Sequence, residues 1–198
     1  GRWRVGTEEE GRRGPRQWGV GEPDRRLRRD SRTSSRRQHR HLEDRLTKAH
    51  NRDINDKLEY TSARTQKNFE LGDEMLDRTY GPGKWSVRFI LHHLADTETV
   101  LYDRIRRSIS EPKQVLWSFD PDLWAAGLEY GRFPLEHSRR IYESVRAGII
   151  HQARLRYEDK GHQQFVHSQT GLRTLKDEFD KVAAHNENHL AHIAKDLE

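Results

Sequence analysis

Apolar residues fall into a helical period from about residue 51 onward. In "NRDINDKLEYTSARTQKNFE" (51–70), Ile54, Leu58 and Phe69 recur roughly in phase among many polar positions, the pattern of a weakly amphipathic helix. "YGPGKW" (80–85) interrupts it, because Gly and Pro do not continue a helix comfortably. Ser86 then stands as an N-cap for a helix reaching about Ser110. "SEPKQ" ends that helix, and "WSFDPDLWAAGLEYGRFP" (117–134) reads as a long connection rich in aromatics, Gly and Pro. A further helix spans about Leu135 to Tyr157, with Ile141, Val145, Ile149 and Leu155 on one face. "EDKGHQQFVHSQTGLR" (158–173) breaks it, and Thr174 with Asp177 three residues on forms a capping box for a last helix.

No run of strand period competes with these helices, and no internal repeat is visible. Amphipathic helices of about 20 residues joined by loops pack as a bundle. The expectation is an all-α four-helix bundle over residues 51–198 without a β-sheet. Ile90, Leu94, Val145, Ile149, Phe179 and Val182 should line its interior.

Composition changes the picture upstream. Of the 198 residues, 32% are hydrophobic and 35% charged, polar for a wholly folded chain. Residues 1–45 hold 14 Arg and no Lys against 8 acidic residues, while the other 153 carry a net charge of −1. The basic balance therefore belongs to residues 1–45, which read as a disordered Arg-rich tail. Such a tail could bind nucleic acid through phosphate charge. The duller reading is favoured: the first Met is Met75, and the Arg, Gly and Trp bias is that of translated GC-rich sequence upstream of a start. Nucleic acid is therefore not the expected partner. The chain has no Cys, which excludes disulfides and Cys-ligated zinc. No apolar run approaches a bilayer span and no signal peptide opens the chain, so no membrane partner and a cytoplasmic setting are expected.

Candidate chemistry lies in "HNENHLAH" (185–192). At 100° per residue, His185 and His189 fall in or beside the apolar stripe of Leu175, Phe179, Val182 and Ile193, one turn apart. His192 falls on its edge. In "FILHHLAD" (89–96), His93 lies inside the apolar arc, Asp96 at its edge, and His92 outside it, facing solvent. Two readings stand on spacing alone. Inward imidazoles are either hydrogen-bonded core residues or ligands, since His at i and i+4 can share a divalent ion.

"YGPGKWSVRFILHHLADTE", "FDPDLW" and "TGLRTLKDEFDKVAAHNENHLAHI" together resemble the DinB/YfiT-like superfamily of metal-binding four-helix bundles. The match covers about residues 68–194 and is closest to the YfiT branch of metal-dependent hydrolases and bacillithiol transferases. Trp85-Ser86 matches the opening of the family's second helix, His93-Leu94-Ala95-Asp96 its H-[LV]-x-D context, and His185 with His189 its H-x-x-x-H pair. The resemblance implies that His93, His185 and His189 hold a divalent metal at one end of the bundle.

Three neutral nitrogen ligands leave coordination positions open, as in catalytic rather than structural sites. Such an ion suits hydrolysis or thiol activation, and any thiolate must come from the substrate. The expected function is thus a metal-dependent thiol S-transferase or hydrolase acting on a small molecule, with a low-molecular-weight thiol as one candidate substrate. Zn, Ni, Fe and Mn all suit the ligand set. Asp96 is the candidate hydrogen-bond partner of a metal ligand, or general base, His192 and His167 are candidate substrate contacts, and Trp85 and Trp124 are packing residues. A homodimer is compatible with this reading. The alternative is a non-enzymatic metal-binding bundle with a basic arm for nucleic acid.

Overall fold

The computed structural model describes residues 53–198, together with residues 37, 40–42 and 45, which are helical and exposed. The expectation of a disordered tail over 1–45 otherwise lies outside the described residues.

Helix α1 covers residues 53–68. It is followed by the single turn α2 (Asp73–Leu76), then α3 (Val87–Ser110), strand β1 (Val115–Leu116), short helix α4 (Pro121–Gly127), α5 (Leu135–Arg156), β2 (Gln164–His167), β3 (Gly171–Thr174) and α6 (Leu175–Leu197). The four long helices form the bundle. None of the described helices is long and apolar enough to cross a membrane.

Local chemistry sets the boundaries. Ser86 caps α3 by accepting from the Phe89 N–H, which satisfies one of the helix's free amides. Thr174 and Asp177 form the reciprocal capping box that starts α6. Asp120 caps α4 with Pro121 at its first position, where a missing N–H costs nothing. The segment 117–134, expected to be a connection throughout, therefore contains a helix.

The bundle has two apolar layers. In one, Ile54 and Leu58 from α1 meet Leu101 and Ile105 from α3, Ile149 and Ala153 from α5, and Leu175, Phe179 and Val182 from α6. In the other, Phe69, Leu76, Val87, Leu91, Leu94, Tyr142 and Ile193 pack together. Between these layers runs a polar belt. Arg146 donates from Nε to Glu98 Oε2 at 2.9 Å and from Nη2 to Glu98 Oε1, and from Nη1 to the Leu58 carbonyl and Thr61 Oγ1. Asn186 accepts from Thr65 Oγ1 at 2.7 Å and lies beside Glu98. One network thus ties α1, α3, α5 and α6 in a single register, and it fixes the turn of α6 that carries His185.

Two expectations need correction. The inward face of α5 is Tyr142, Arg146, Ile149 and Ala153, with Val145 half-buried beside it, whereas Ile141 and Leu155 are exposed. The buried guanidinium displaces the face from the one that apolar residues alone suggest. The structure also holds a three-stranded sheet in the order β1-β2-β3. β1 pairs parallel to β2 (Val115↔Val166), and β2 pairs antiparallel to β3 (Val166↔Leu172). These strands are two to four residues long, too short to leave a period, and they cap the bundle without replacing its helical core.

Candidate metal centre

His93 projects from α3, one turn after the Ile90–Leu91 apolar pair, and His185 and His189 project from successive turns of α6. Their rings meet: His93 Nε2 lies 3.2 Å from His185 Nε2. Ring centroids are 4.8 Å apart for His93–His189 and 4.5 Å for His185–His189. One ring nitrogen from each residue lies within 4.8 Å of the others. Trp85 meets the His93 ring edge-on at 5.1 Å, and the Thr97 hydroxyl lies 3.3–3.4 Å from its nitrogens.

Burial keeps these imidazoles neutral. It pushes His93 and His185 down to a pKa of about 3 and His189 to about 4, with further lowering from one another and from nearby cations. A neutral imidazole has a free lone pair, the form that binds metal. The donor set fits a divalent ion on two further counts. Two nitrogens each 2.0–2.1 Å from a tetrahedral ion stand about 3.3 Å apart, close to the observed 3.2 Å. His189 Nδ1 is also buried without a hydrogen-bond partner, an arrangement that protein contacts alone leave unsatisfied.

All three histidines line a cavity of about 340 Å³, together with Trp85, Thr97, Phe119, Arg104, His167 and Lys181 among others. It runs between α3 and α6 and is closed on one side by β2 and the segment before α4. His167 lies in β2, where a loop was expected, and is 5% exposed. Arg104 and Lys181 were not anticipated. Their signal was helical spacing: Lys181, His185 and His189 recur every fourth residue on α6, and His93, Thr97, Leu101 and Arg104 form one stripe on α3.

The other expected site residues lie elsewhere. Asp96 is not in the cavity wall; it accepts from Tyr130 Oη at 2.5 Å. Burial raises its pKa, partly countered by that hydrogen bond. His192 is half-buried and lines a separate hollow of about 220 Å³ with Tyr80, Lys84, Trp85 and His189. His92, expected to face solvent, is 1% exposed. Its Nδ1 lies 2.7 Å from Ser138 Oγ, its ring packs on Tyr130, and burial lowers its pKa to about 4. The α4 connection folds over that side of α3, so a position outside the apolar arc is covered all the same. Trp124 packs on Phe119, as a packing residue should, whereas Trp85 also forms cavity wall.

The sequence profile of the DinB superfamily matches residues 57–193. This chain belongs to the DinB superfamily. Among its DinB relatives is an Oceanobacillus iheyensis protein named a "putative metal-dependent hydrolase", 31% identical over 134 residues, which are 68% of this chain and 77% of that protein. A second protein of the same name from that organism is 31% identical over 124 residues, 63% of this chain and 72% of its own length. Among solved structures, YfiT from Bacillus subtilis, described as a probable metal-dependent hydrolase with an unusual four-helix bundle topology, superposes with a TM-score of 0.66. It is 24% identical, covering 73% of this chain and 83% of YfiT. The bundle of this DinB chain is therefore of the YfiT kind.

Proposed function

We propose that this chain is a metal-dependent enzyme acting on a small molecule, with His93, His185 and His189 holding a divalent ion (Zn, Ni, Fe or Mn). The observation that carries the reading is the convergence of three neutral imidazoles on the wall of an open cavity. Hydrolysis is the preferred reaction, supported by the names of its relatives; transfer of a low-molecular-weight thiol is the other reaction the same centre suits. When bound, such an ion lowers the pKa of a water or thiol that reaches it and polarises an acceptor group.

The chain's own residues supply the rest. Trp85 and Phe119 pack against His93 and shield that side from water, which strengthens polar interactions inside. His185 and His189 are oriented by the α6 register that Asn186 fixes. Any thiol must be brought by the substrate, because the chain has no Cys. Asp96, held by Tyr130, acts on the fold rather than on the cavity.

The test is elemental analysis of purified protein, then a screen of ester, amide and thiol-conjugation substrates with the parent and His185→Ala. Turnover that needs both bound metal and His185 supports the proposal. Turnover that survives His185→Ala, or metal absent from a parent loaded with each candidate ion, overturns it.

A further inference from the structure

The same cavity also carries hydrogen-bond donors without partners in its lining. Arg104 and Lys181 line it, and among the described residues no carboxylate does. Arg104 is 3% exposed. Its Nη1 donates to Glu178 at 3.2 Å and its Nη2 to the Trp117 carbonyl, yet its Nε–H is buried with no partner. Glu178 is thereby engaged by Arg104, and Lys181, one turn further along α6, has no ion pair among the described residues.

His167 supplies a third donor, and its tautomer follows from its contacts. The backbone N–H groups of Gln169 and Thr170 both donate to His167 Nδ1, at 3.2 and 3.3 Å. That nitrogen is the acceptor, so the proton of the neutral ring sits on Nε2. His167 Nε2 is buried and has no partner. Two orphaned buried N–H groups are costly unless an acceptor satisfies them, and an ammonium shares the cavity lining with them. Nothing in the metal reading uses them.

We propose that this wall is a subsite for an oxyanion, a carboxylate or phosphate carried by the small-molecule substrate, bound by Lys181 Nζ, Arg104 Nε–H and His167 Nε2–H. Lys181 precedes His185 by four residues, about 6 Å along the helix axis. The substrate therefore carries its anionic group about one helical turn from the group presented to the histidines. The placement of the reacting group rests on the metal reading; the anion subsite itself does not.

Inorganic phosphate and acetate are titrated by calorimetry into the full chain after dialysis to remove metal, and into His185→Ala, so that no ion competes for the anion. The expected result is saturable binding of at least one anion. It should weaken about tenfold or more in Lys181→Met and in His167→Phe, and His167→Gln, which keeps an N–H donor, should retain it. Whichever anion binds tighter identifies the substrate's group. Lys181 is an exposed residue, so Lys181→Met keeps the test valid should His167→Phe fold poorly, and melting curves check both. No saturable binding of either anion, or binding unchanged in Lys181→Met, overturns the subsite. Failure of the metal reading shows instead as a parent chain that takes up no metal while still binding the anion.

Discussion

Arg146 and Glu98 form a two-point ion pair at the centre of the bundle, each side chain 1% exposed. Burial raises the Glu98 pKa and the guanidinium opposes that rise. Breaking such a pair strands a charge in the interior. Arg146→Met should cost about 3–5 kcal/mol, the range for an orphaned buried ion, and should lower the melting temperature sharply. The double replacement Arg146→Met with Glu98→Leu should recover much of that loss. A double variant as unstable as the single would show that the pair's other contacts, to Leu58 and Thr61, dominate.

Metal content should depend on three histidines and no fourth. His93→Ala, His185→Ala and His189→Ala should each abolish metal binding, measured by elemental analysis, and remove the drop in melting temperature that a chelator causes in the parent. His92→Ala should keep the metal yet lose about 1–3 kcal/mol of stability, because the Ser138 hydroxyl loses its buried partner. Loss of metal in His92→Ala would bring that ring into the ligand set.

Acid should destabilise the metal-free fold as the histidines of the unfolded chain take up protons. Burial lowers His93 and His185 to about 3, and His92 and His189 to about 4, against about 6.5 in an unfolded chain. As pH falls below 6.5 the unfolded chain gains protons that the folded chain refuses. Stability is therefore full above that value and declines toward pH 4 to 3. Asp96, Glu98 and Asp196, whose pKa values burial raises, work in the opposite direction, because the folded chain holds their protons to higher pH than the unfolded one. A melting temperature that stays flat from pH 7 to 5 would show that these imidazoles are not held neutral.

Gly161 should resist substitution. A Cβ at this position would stand 2.0 Å from the Tyr157 carbonyl oxygen and 2.5 Å from Lys176 Cγ, so backbone would have to move. Gly161→Ala should cost about 1–3 kcal/mol, whereas Gly72→Ala, with open space around it, should be close to neutral. Thermal unfolding of the two variants side by side makes the comparison.

Helices α3 and α6 were readable because each repeats its apolar spacing over many turns and begins at a chemically plain cap, Ser86 or Thr174. The histidine cluster was readable because two of its members share one face of one helix. What the sequence hid has physical causes. The face of α5 contains Arg146, a residue made tolerable inside by a buried carboxylate 48 positions away and by acceptors on α1. His92 is buried by a segment from outside its own helix, which no helical projection can show. Helix α4 is only seven residues long, too short for an apolar period to stand out among the glycines and prolines around it. The cations of the cavity wall look like ordinary solvated positions until α3 and α6 are laid side by side.

The pairing of β1 with β2 bears on the order in which the molecule assembles. Val115 and Val166 lie alongside each other in a parallel register, and parallel neighbours require the intervening chain to cross over before they can meet. That chain includes all of α4 and α5, so these strands close a loop of some fifty residues, a step that is slow next to helix formation. His167 sits at the end of this pairing, opposite Leu116. Of the cavity-wall residues Arg104, Lys181 and His167, the first two belong to α3 and α6, and His167 alone lies in the strand that this crossover places. Whether that imidazole reaches the cavity thus depends on one short strand pair and not on the helix packing that carries its neighbours.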